Sequence, residues 1–319
     1  MLDVSLMSSW NRQPIKLQTK PGYSQKLPQG TFIEKTKPVT VVSAYYAVKS
    51  RADQETYMQR MRLFLENVPC HLVFFTDEPL IDFVNTCRQN NKEKTVVIPL
   101  NRTEWVANIK YPETMWSAQE AKDPEADLHS TELYKLWYEK KEFVLTAIEL
   151  NPFDSDDFVW LDAGMIREPE ILPLIKDNFP SPSRIPNDRI LLLHVKPFTP
   201  DDETKVDGIT GNFLKRDRIA AGIIAGSIDS WHKWSAIYDE TMTRYINQDR
   251  FIGKEQSIMS TMVLENKNLI SLITPPKNFG RKWFYSLIYL GVSNNRLKVI
   301  NSFAQETIES YHSISSIPL

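Results

Sequence analysis

Apolar positions along the chain cluster in two alternating ways. Val39-Thr-Val-Val-Ser-Ala-Tyr-Tyr46 is β-branched and aromatic, too short for a typical helix and long enough for a buried strand. From Ala52 to Asn67, Tyr57, Met58, Met61, Phe64 and Leu65 recur at helical spacing before Val68-Pro69 ends the run. His71-Leu-Val-Phe-Phe-Thr76 reads as a second strand, Ile81 to Gln89 as a helix and Thr95-Val-Val-Ile98 as a third strand. Strand, helix, strand, helix, strand within 100 residues predicts a largely parallel sheet covered by helices.

The strongest helical pattern opens at Ser130, a side chain suited to an N-cap, and carries Leu133, Leu136, Trp137, Val144, Ala147 and Ile148 to about Leu150. A turn-rich connection, Asn151-Pro-Phe-Asp-Ser-Asp, leads into Asp157-Phe-Val-Trp-Leu161, a short buried strand running straight into Asp162-Ala-Gly164. A proline-rich stretch to Pro186 is expected on the surface, followed by a strand, Ile190 to His194, and a mobile or ligand-facing loop to Gly211. Ile219-Ala-Ala-Gly-Ile-Ile-Ala-Gly226 sets glycines four apart among small residues, which lets a neighbour approach the backbone closely. Helices are expected from Ser230 to Asn247 and from Lys254 to Glu265.

Composition narrows the class. The 319 residues are 42% hydrophobic and 24% charged with a formal charge of -2, a balance suited to a folded domain and without overall attraction for nucleic acid. Two cysteines build neither a disulfide scaffold nor a thiolate zinc site and fit a reducing compartment. The start of the chain has no signal-peptide pattern, and its longest apolar run, Trp283 to Val292, is half a membrane span. The expectation is a protein without a transmembrane segment, cytoplasmic and at most membrane-peripheral; that run is read as core first, then dimer contact, then membrane patch.

Asp162 is the leading candidate for chemistry, because a carboxylate at a strand's carboxyl end faces the crevice where open α/β sheets bind ligands. Its structural alternative is a turn-capping aspartate. Gly-x-Gly-x-x-Gly, the Walker pattern and Gly-x-Ser-x-Gly are absent, and the five histidines are scattered without ligand spacing. These absences argue against a dinucleotide-dependent dehydrogenase, a P-loop enzyme, a serine hydrolase and a histidine zinc site; a Rossmann-like methyltransferase also lacks its Gly-rich loop. Lys135, Lys140 and Lys141 fall on the long helix, where lysine ordinarily lies on the solvated face. Trp231, Trp234 and Tyr238 have the spacing of a core stripe.

Several segments together resemble the HtrL/YibB-type (WlaTC-like) glycosyltransferase family: Ser43-Ala-Tyr-Tyr46 with Lys49-Ser50-Arg51 and Tyr57; Thr131-Glu-Leu-Tyr-Lys135 with Lys140; Asn151-Pro-Phe153; Phe158-Val-Trp-Leu-Asp-Ala-Gly164 with Arg167; and Ala221-Gly-Ile-Ile-Ala-Gly226 with Glu255-Gln256-Ser257. The resemblance implies a GT-A-like nucleotide-binding α/β fold in one large domain over residues 38–300, with a polar arm before it (1–37) and a tail after it (301–319). It implies sugar transfer from a nucleotide-sugar donor, UDP-sugar favoured, to a glycan or other hydroxyl acceptor in surface-polysaccharide or glycoprotein-glycan synthesis. In that picture Tyr45 and Arg51 lie beside the base, Lys135 faces the donor phosphates, and Asp162, Ala163, Gly164, Gly222 and Gly226 border the donor. Asp162 would hold Mn2+ or Mg2+, although Gly164 stands where the second aspartate of the common motif would be. Glu255 is the first candidate for general base and Asp229 the second, with Gln256 and Trp231 on the acceptor side. The missing aspartate also motivates an alternative, a catalytically silent nucleotide- or glycan-binding module.

Overall fold

The computed structural model describes residues 31–298 except 33, 277–278 and 294–296, so the tail and most of the arm lie outside the described residues. Seven strands form the main sheet: β1 (Val39–Tyr45), β2 (His71–Thr76), β3 (Thr95–Pro99), β4 (Asp157–Leu161), β5 (Ile190–His194), β6 (Ile219–Ser227) and β7 (Ile270–Ile273). Their order is β3-β2-β1-β4-β6-β5-β7. The pairings are parallel except those of β6, which runs antiparallel to both β4 and β5. The expected α/β class with a mostly parallel sheet is what the chain adopts. The glycine-rich stretch at 219–227 becomes its longest strand, placed near the centre.

Both faces of the sheet are covered, which explains why β1, β2 and β4 read as nearly continuous apolar runs rather than as alternating ones. Val42, Ala44 and Tyr46 of the first strand segment point into one core, shared with Phe143, Phe158, Trp160, Trp231 and Trp234. Val39, Val41 and Tyr45 point into the other, with Met61, Phe64, Leu65, Leu72 and Phe74. Helices α1 (Gln54–Asn67) and α2 (Ile81–Cys87) cover this second face; α3 (Thr131–Leu150) and α4 (Ile228–Asn247) supply the first. Helix α5 (Glu255–Glu265) joins the first core through Ile258, Met259, Met262 and Val263.

The ends of α3 follow the sequence signals. Ser130 Oγ accepts from Leu133 N at 3.3 Å, and Asn151 takes the left-handed conformation with φ 34° that closes the helix. The Asn151 amide then bonds Ser155 twice, its Oδ1 accepting from Ser155 N at 2.9 Å and its Nδ2 donating to Ser155 O at 3.0 Å. That turn aims the chain into β4.

Two loop expectations change. The proline-rich stretch is not a surface segment: Ile171, Leu172, Ile175, Phe179 and Ile185 are buried, and its helical turn at Leu172–Ile175 packs on α6 (Tyr285–Gly291). The apolar run at 283–292 is accordingly core, as its first reading held. The loop after β5 is pinned, because fully buried Asp202 pairs with Arg216 at 3.1 Å and Arg218 at 2.8 Å. At the other end of the chain, Lys35 forms a buried pair with Asp157 at 2.6 Å and donates to Ile185 O at 2.8 Å, tying the close of the polar arm to the foot of β4. No helix among the described residues is long and apolar enough to cross a membrane.

Phe64 has no exposed surface and fills the space between α1 and the sheet. Phe64→Ala is expected to cost about 3–5 kcal/mol of stability, read from the shift of the urea unfolding midpoint.

Candidate functional site

The chain lays β1, β2 and β3 outward on one side, then crosses to place β4 on the other side of β1. The carboxyl ends of β1 and β4 therefore diverge into a crevice, the place where open α/β sheets take ligands. A cleft of about 240 Å³ lies there. Ala44 to Val48 line it from the end of β1, Trp160, Asp162 and Ala163 from the end of β4, Tyr57 from α1, and Leu133, Leu136, Trp137 and Lys140 from α3. The α3 residues are spaced three and four apart, so one helix face forms a wall.

Asp162 sits at the floor, its side chain 40% exposed. Its backbone N donates to Gly222 O at 2.9 Å. Its Oδ1 accepts from the Trp160 indole Nε1 at 2.7 Å and faces the Lys140 ammonium at 2.9 Å. The side chain of Lys140 is only 7% exposed, and its Nζ also meets Glu255 Oε1 at 2.7 Å and lies 5.7 Å from the Trp160 ring centre. Burial alone would lower the Lys140 pKa, but the Asp162 and Glu255 carboxylates outweigh it and hold it above the ordinary value. Burial pushes the Glu255 carboxyl up to about 7, against the downward pull of Lys140 and with a further upward push from Asp162. One ammonium thus serves two carboxylates, of which Glu255 is the more deeply buried.

The structure brings together several of the expected residues. Tyr45 and Ala163 line the cleft, and the Tyr45 and Tyr57 rings lie 5.8 Å apart. Gly222 stands beside Asp162: a Cβ there would be 3.4 Å from Asp162 Oδ2 and 2.9 Å from Met165 Sδ. Gly164 is the turn on which Tyr57 packs, with a Cβ at that position only 2.8 Å from the ring. Glu255 is near but lies behind Lys140, away from the cleft lining. Gln256, next along α5, is occupied by a bond from its Nε2 to Ile219 O at 3.1 Å.

Other expected residues fall elsewhere. Because β6 is antiparallel, its carboxyl end pairs with the amino end of β4, Gly226 opposite Phe158 and Ser227 opposite Asp157. Gly226 and Asp229 are therefore at the edge of the sheet opposite Asp162; Gly226 packs under Ile190, and Asp229 pairs with Lys233 at 2.5 Å on the surface. Trp231 is fully buried with its Nε1 donating to Phe158 O at 3.0 Å, a core residue rather than an acceptor platform. Arg51 points outward and pairs with Glu125 at 2.5 Å. Lys135 lines a neighbouring cavity with Lys49, Arg102 and Trp105 and pairs with Glu113.

Lys140 occupies a place that its position on a helix does not announce. All three α3 lysines are buried, contrary to the expectation of a solvated face. Lys141 is held by Asp239 at 3.0 Å against the Tyr138 ring, on a side of α3 that does not line the cleft. A signal was present: Lys140 falls in the apolar stripe Leu133, Leu136, Trp137, Val144, Ala147, and a lysine there must find buried partners.

A divalent cation on Asp162, implied by the resemblance, does not fit these residues. Hard cations collect several anionic or carbonyl oxygens. Here one oxygen of Asp162 is already taken by an ammonium and an indole N–H, and Tyr57 fills the space a side chain at 164 would need. Among the described residues no group of three or more His, Cys, Asp and Glu stands together to hold a metal.

The chain is thus an α/β protein with a cleft at a topological switch point, floored by a carboxylate that a buried lysine holds. It belongs to the HtrL_YibB family, described as bacterial protein of unknown function, which matches residues 37–287. No curated protein matches it. Among solved structures it is similar to 4-diphosphocytidyl-2C-methyl-D-erythritol synthase from Anaerococcus prevotii, with TM-score 0.35 and 10% identity over 84% of this chain and 96% of that one. It is also similar to mouse xyloside xylosyltransferase 1 in its apo form, with TM-score 0.37 and 10% identity over 74% and 84%.

The Glu255 carboxyl sets a pH dependence. Its folded pKa lies above the unfolded value, so its contribution to stability is complete below about pH 4.5 and is lost as pH rises through about 7. The difference in unfolding free energy between the protein and Glu255→Gln, measured from pH 4 to pH 8, is expected to change by on the order of 3 kcal/mol in that direction.

Proposed function

We propose that this chain is a glycosyltransferase with a GT-A-like fold, using a nucleotide-sugar donor and transferring the sugar to a hydroxyl of a glycan or related acceptor. The observation that carries the reading is the cleft between the ends of β1 and β4, with aromatic side chains at its mouth and the Asp162–Lys140 pair at its floor. Tyr45, Tyr57 and Trp137 offer flat apolar faces for a base and ribose. Lys140 offers a fixed positive charge where the diphosphate leaves. A UDP-sugar is the favoured donor.

In the transfer, the oxygen of an acceptor hydroxyl bonds to the anomeric carbon and gives up its proton to water, while the bond from that carbon to the phosphate oxygen breaks, its electron pair remaining on the departing diphosphate. The reaction gains most from a cation already in place where that charge grows. Glu255 acts through Lys140 as a positioning residue, keeping the ammonium aimed at the floor of the cleft. Asp162 orients the same ammonium from the open side and, being half exposed, is the carboxylate that meets the donor sugar. Gln256 borders the acceptor side of the same edge.

Asp162→Asn keeps the shape and loses the charge that fixes Lys140. It is expected to lower sugar transfer by about 100-fold or more, measured at a temperature at which the variant, with Glu255 left as the partner of Lys140, is still folded. Transfer is read as nucleoside diphosphate released from UDP-, GDP- and TDP-sugars in the presence of glycan acceptors. Full activity in a folded Asp162→Asn protein removes Asp162 from the mechanism. Nucleotide or glycan binding without release across the whole donor panel favours the silent binding module instead.

A further inference from the structure

The three buried lysines of α3 are not equally provided for. Lys140 meets two carboxylates and lies 3.4 Å from Ala221 O. Lys141 is held by Asp239 and Glu142, with the Tyr138 hydroxyl at 3.3 Å and Ser235 Oγ at 3.4 Å. Lys135, only 5% exposed, has a single partner among the described residues, Glu113, whose own side chain is 61% exposed. An ammonium carries three donors, and taking it out of water with donors unspent is costly. The Lys135 side chain lines a cavity of about 350 Å³. Lys49, on the loop leaving β1, lines it too and makes no side-chain hydrogen bond or ion pair among the described residues. Arg102 lines it from the segment after β3, its guanidinium held by Asp77 at 2.8 Å and by Ala47 O at 3.2 Å. Ser130 and Glu132 bring the amino end of α3 to the same space, and with it the positive end of a 20-residue helix dipole. Among the described residues that line the cavity, Glu132 is the single acid against three cations; Asp77 and Glu113 pair with two of these without lining it themselves. Ala47 and Val48 border both this cavity and the cleft of Asp162 and Lys140, so the two adjoin along the loop after β1.

We infer that this second cavity is an anion-binding subsite, which takes a phosphate or carboxylate group carried by the sugar acceptor. Anion binding follows from the cavity alone. The assignment to the acceptor rests on the nucleotide-sugar reading above, in which the donor's diphosphate belongs beside Lys140 and the adjoining cations are left to a charge on the other substrate. The anion accepts hydrogen bonds from the spare donors of Lys135 and meets the charges of Lys49 and Arg102. Glu113, lying mostly in water, is the partner that an incoming anion displaces from Lys135. A cation at the wall of a partly enclosed space acts on such a ligand more strongly than one on an open face, because less water screens it.

The test is a titration of the full chain followed by NMR chemical shifts, with inorganic phosphate, glucose 6-phosphate and glucuronate as probes and glucose as the uncharged control. Each is added alone and again beside UDP, GDP, CDP, ADP and TDP in turn. The expected result is that glucose 6-phosphate or glucuronate binds with a Kd about tenfold or more below that of glucose, changed by less than about threefold by whichever nucleotide binds. Lys135→Met is expected to weaken that binding about tenfold or more, and Lys49→Gln about threefold or more, with nucleotide binding kept. Lys49 is exposed, so its variant gives the answer even where Lys135→Met fails to fold. Equal affinity for glucose and both charged sugars, or an unchanged Kd in the folded variants, overturns the inference. Binding of inorganic phosphate but of neither charged sugar overturns the assignment to an acceptor, and so does competition between the charged sugar and a nucleoside diphosphate, which gives the cavity to the donor. Binding of a charged sugar that the variants lose, with no nucleoside diphosphate bound at all, upholds the subsite and overturns the nucleotide-sugar reading.

Discussion

An ammonium taken out of water has to be surrounded by negative charge, and the position of Lys140 makes three separate pieces of chain converge to supply it. The α3 helix carries the lysine, the end of β4 brings Asp162, and the first turn of α5 brings Glu255. Removing either carboxylate leaves a buried charge short of partners, a more costly state than never having buried it. The floor of the cleft is therefore rigid for the same reason that it is charged. The Trp160 indole, which donates to Asp162 and lies beside the ammonium, closes the apolar side of the group.

That convergence follows from topology more than from local sequence. Parallel strands β1 to β3 need crossover helices, so the carboxyl ends of the strands and the amino ends of α1 and α2 gather at one edge of the sheet. Beginning the other half of the sheet at β4, against β1, opens the crevice at that edge. The antiparallel course of β6 then brings its amino half, with Gly222, to Asp162 and sends its carboxyl half, with Gly226, to the far edge. Two glycines four residues apart on one strand thus end with unrelated jobs: one admits the Asp162 carboxylate, the other makes room for Ile190.

Much of this was legible in the chain. The strands β1 to β5, the helix from Ser130 to Leu150 and Asp162 at a strand end all follow from periodicity, caps and turn residues acting over a few neighbours. What was not legible depends on direction and distance. Nothing within Ile219–Gly226 says that it runs antiparallel, and without that Asp229 and Gly226 look as near to Asp162 as Gly222 does. Trp231 was a core residue by its spacing, and the sheet confirms the spacing over the resemblance. Lys140 was visible as a polar intruder in an apolar stripe, but its two partners are 22 and 115 positions away, so only the folded chain identifies them. The proline-rich stretch misled for the opposite reason: prolines mark turns, and here the turns present Ile171, Leu172 and Ile175 to the core.

The turn Asp162-Ala-Gly164 and the lysine answer one another. A second carboxylate at 164 would add negative charge to a floor where one ammonium already serves two acids, and where Glu255 is held above the usual carboxylate range by its burial first and by the Asp162 charge in addition. With Tyr57 packed on the glycine, the third acid is excluded sterically as well. The charge ratio at the floor is thereby held at one cation to two carboxylates, a balance that a neighbouring anion shifts further toward protonated Glu255. The absence of an acid at 164 and the presence of a lysine at 140 are consequently one electrostatic arrangement, and each makes physical sense only with the other in place.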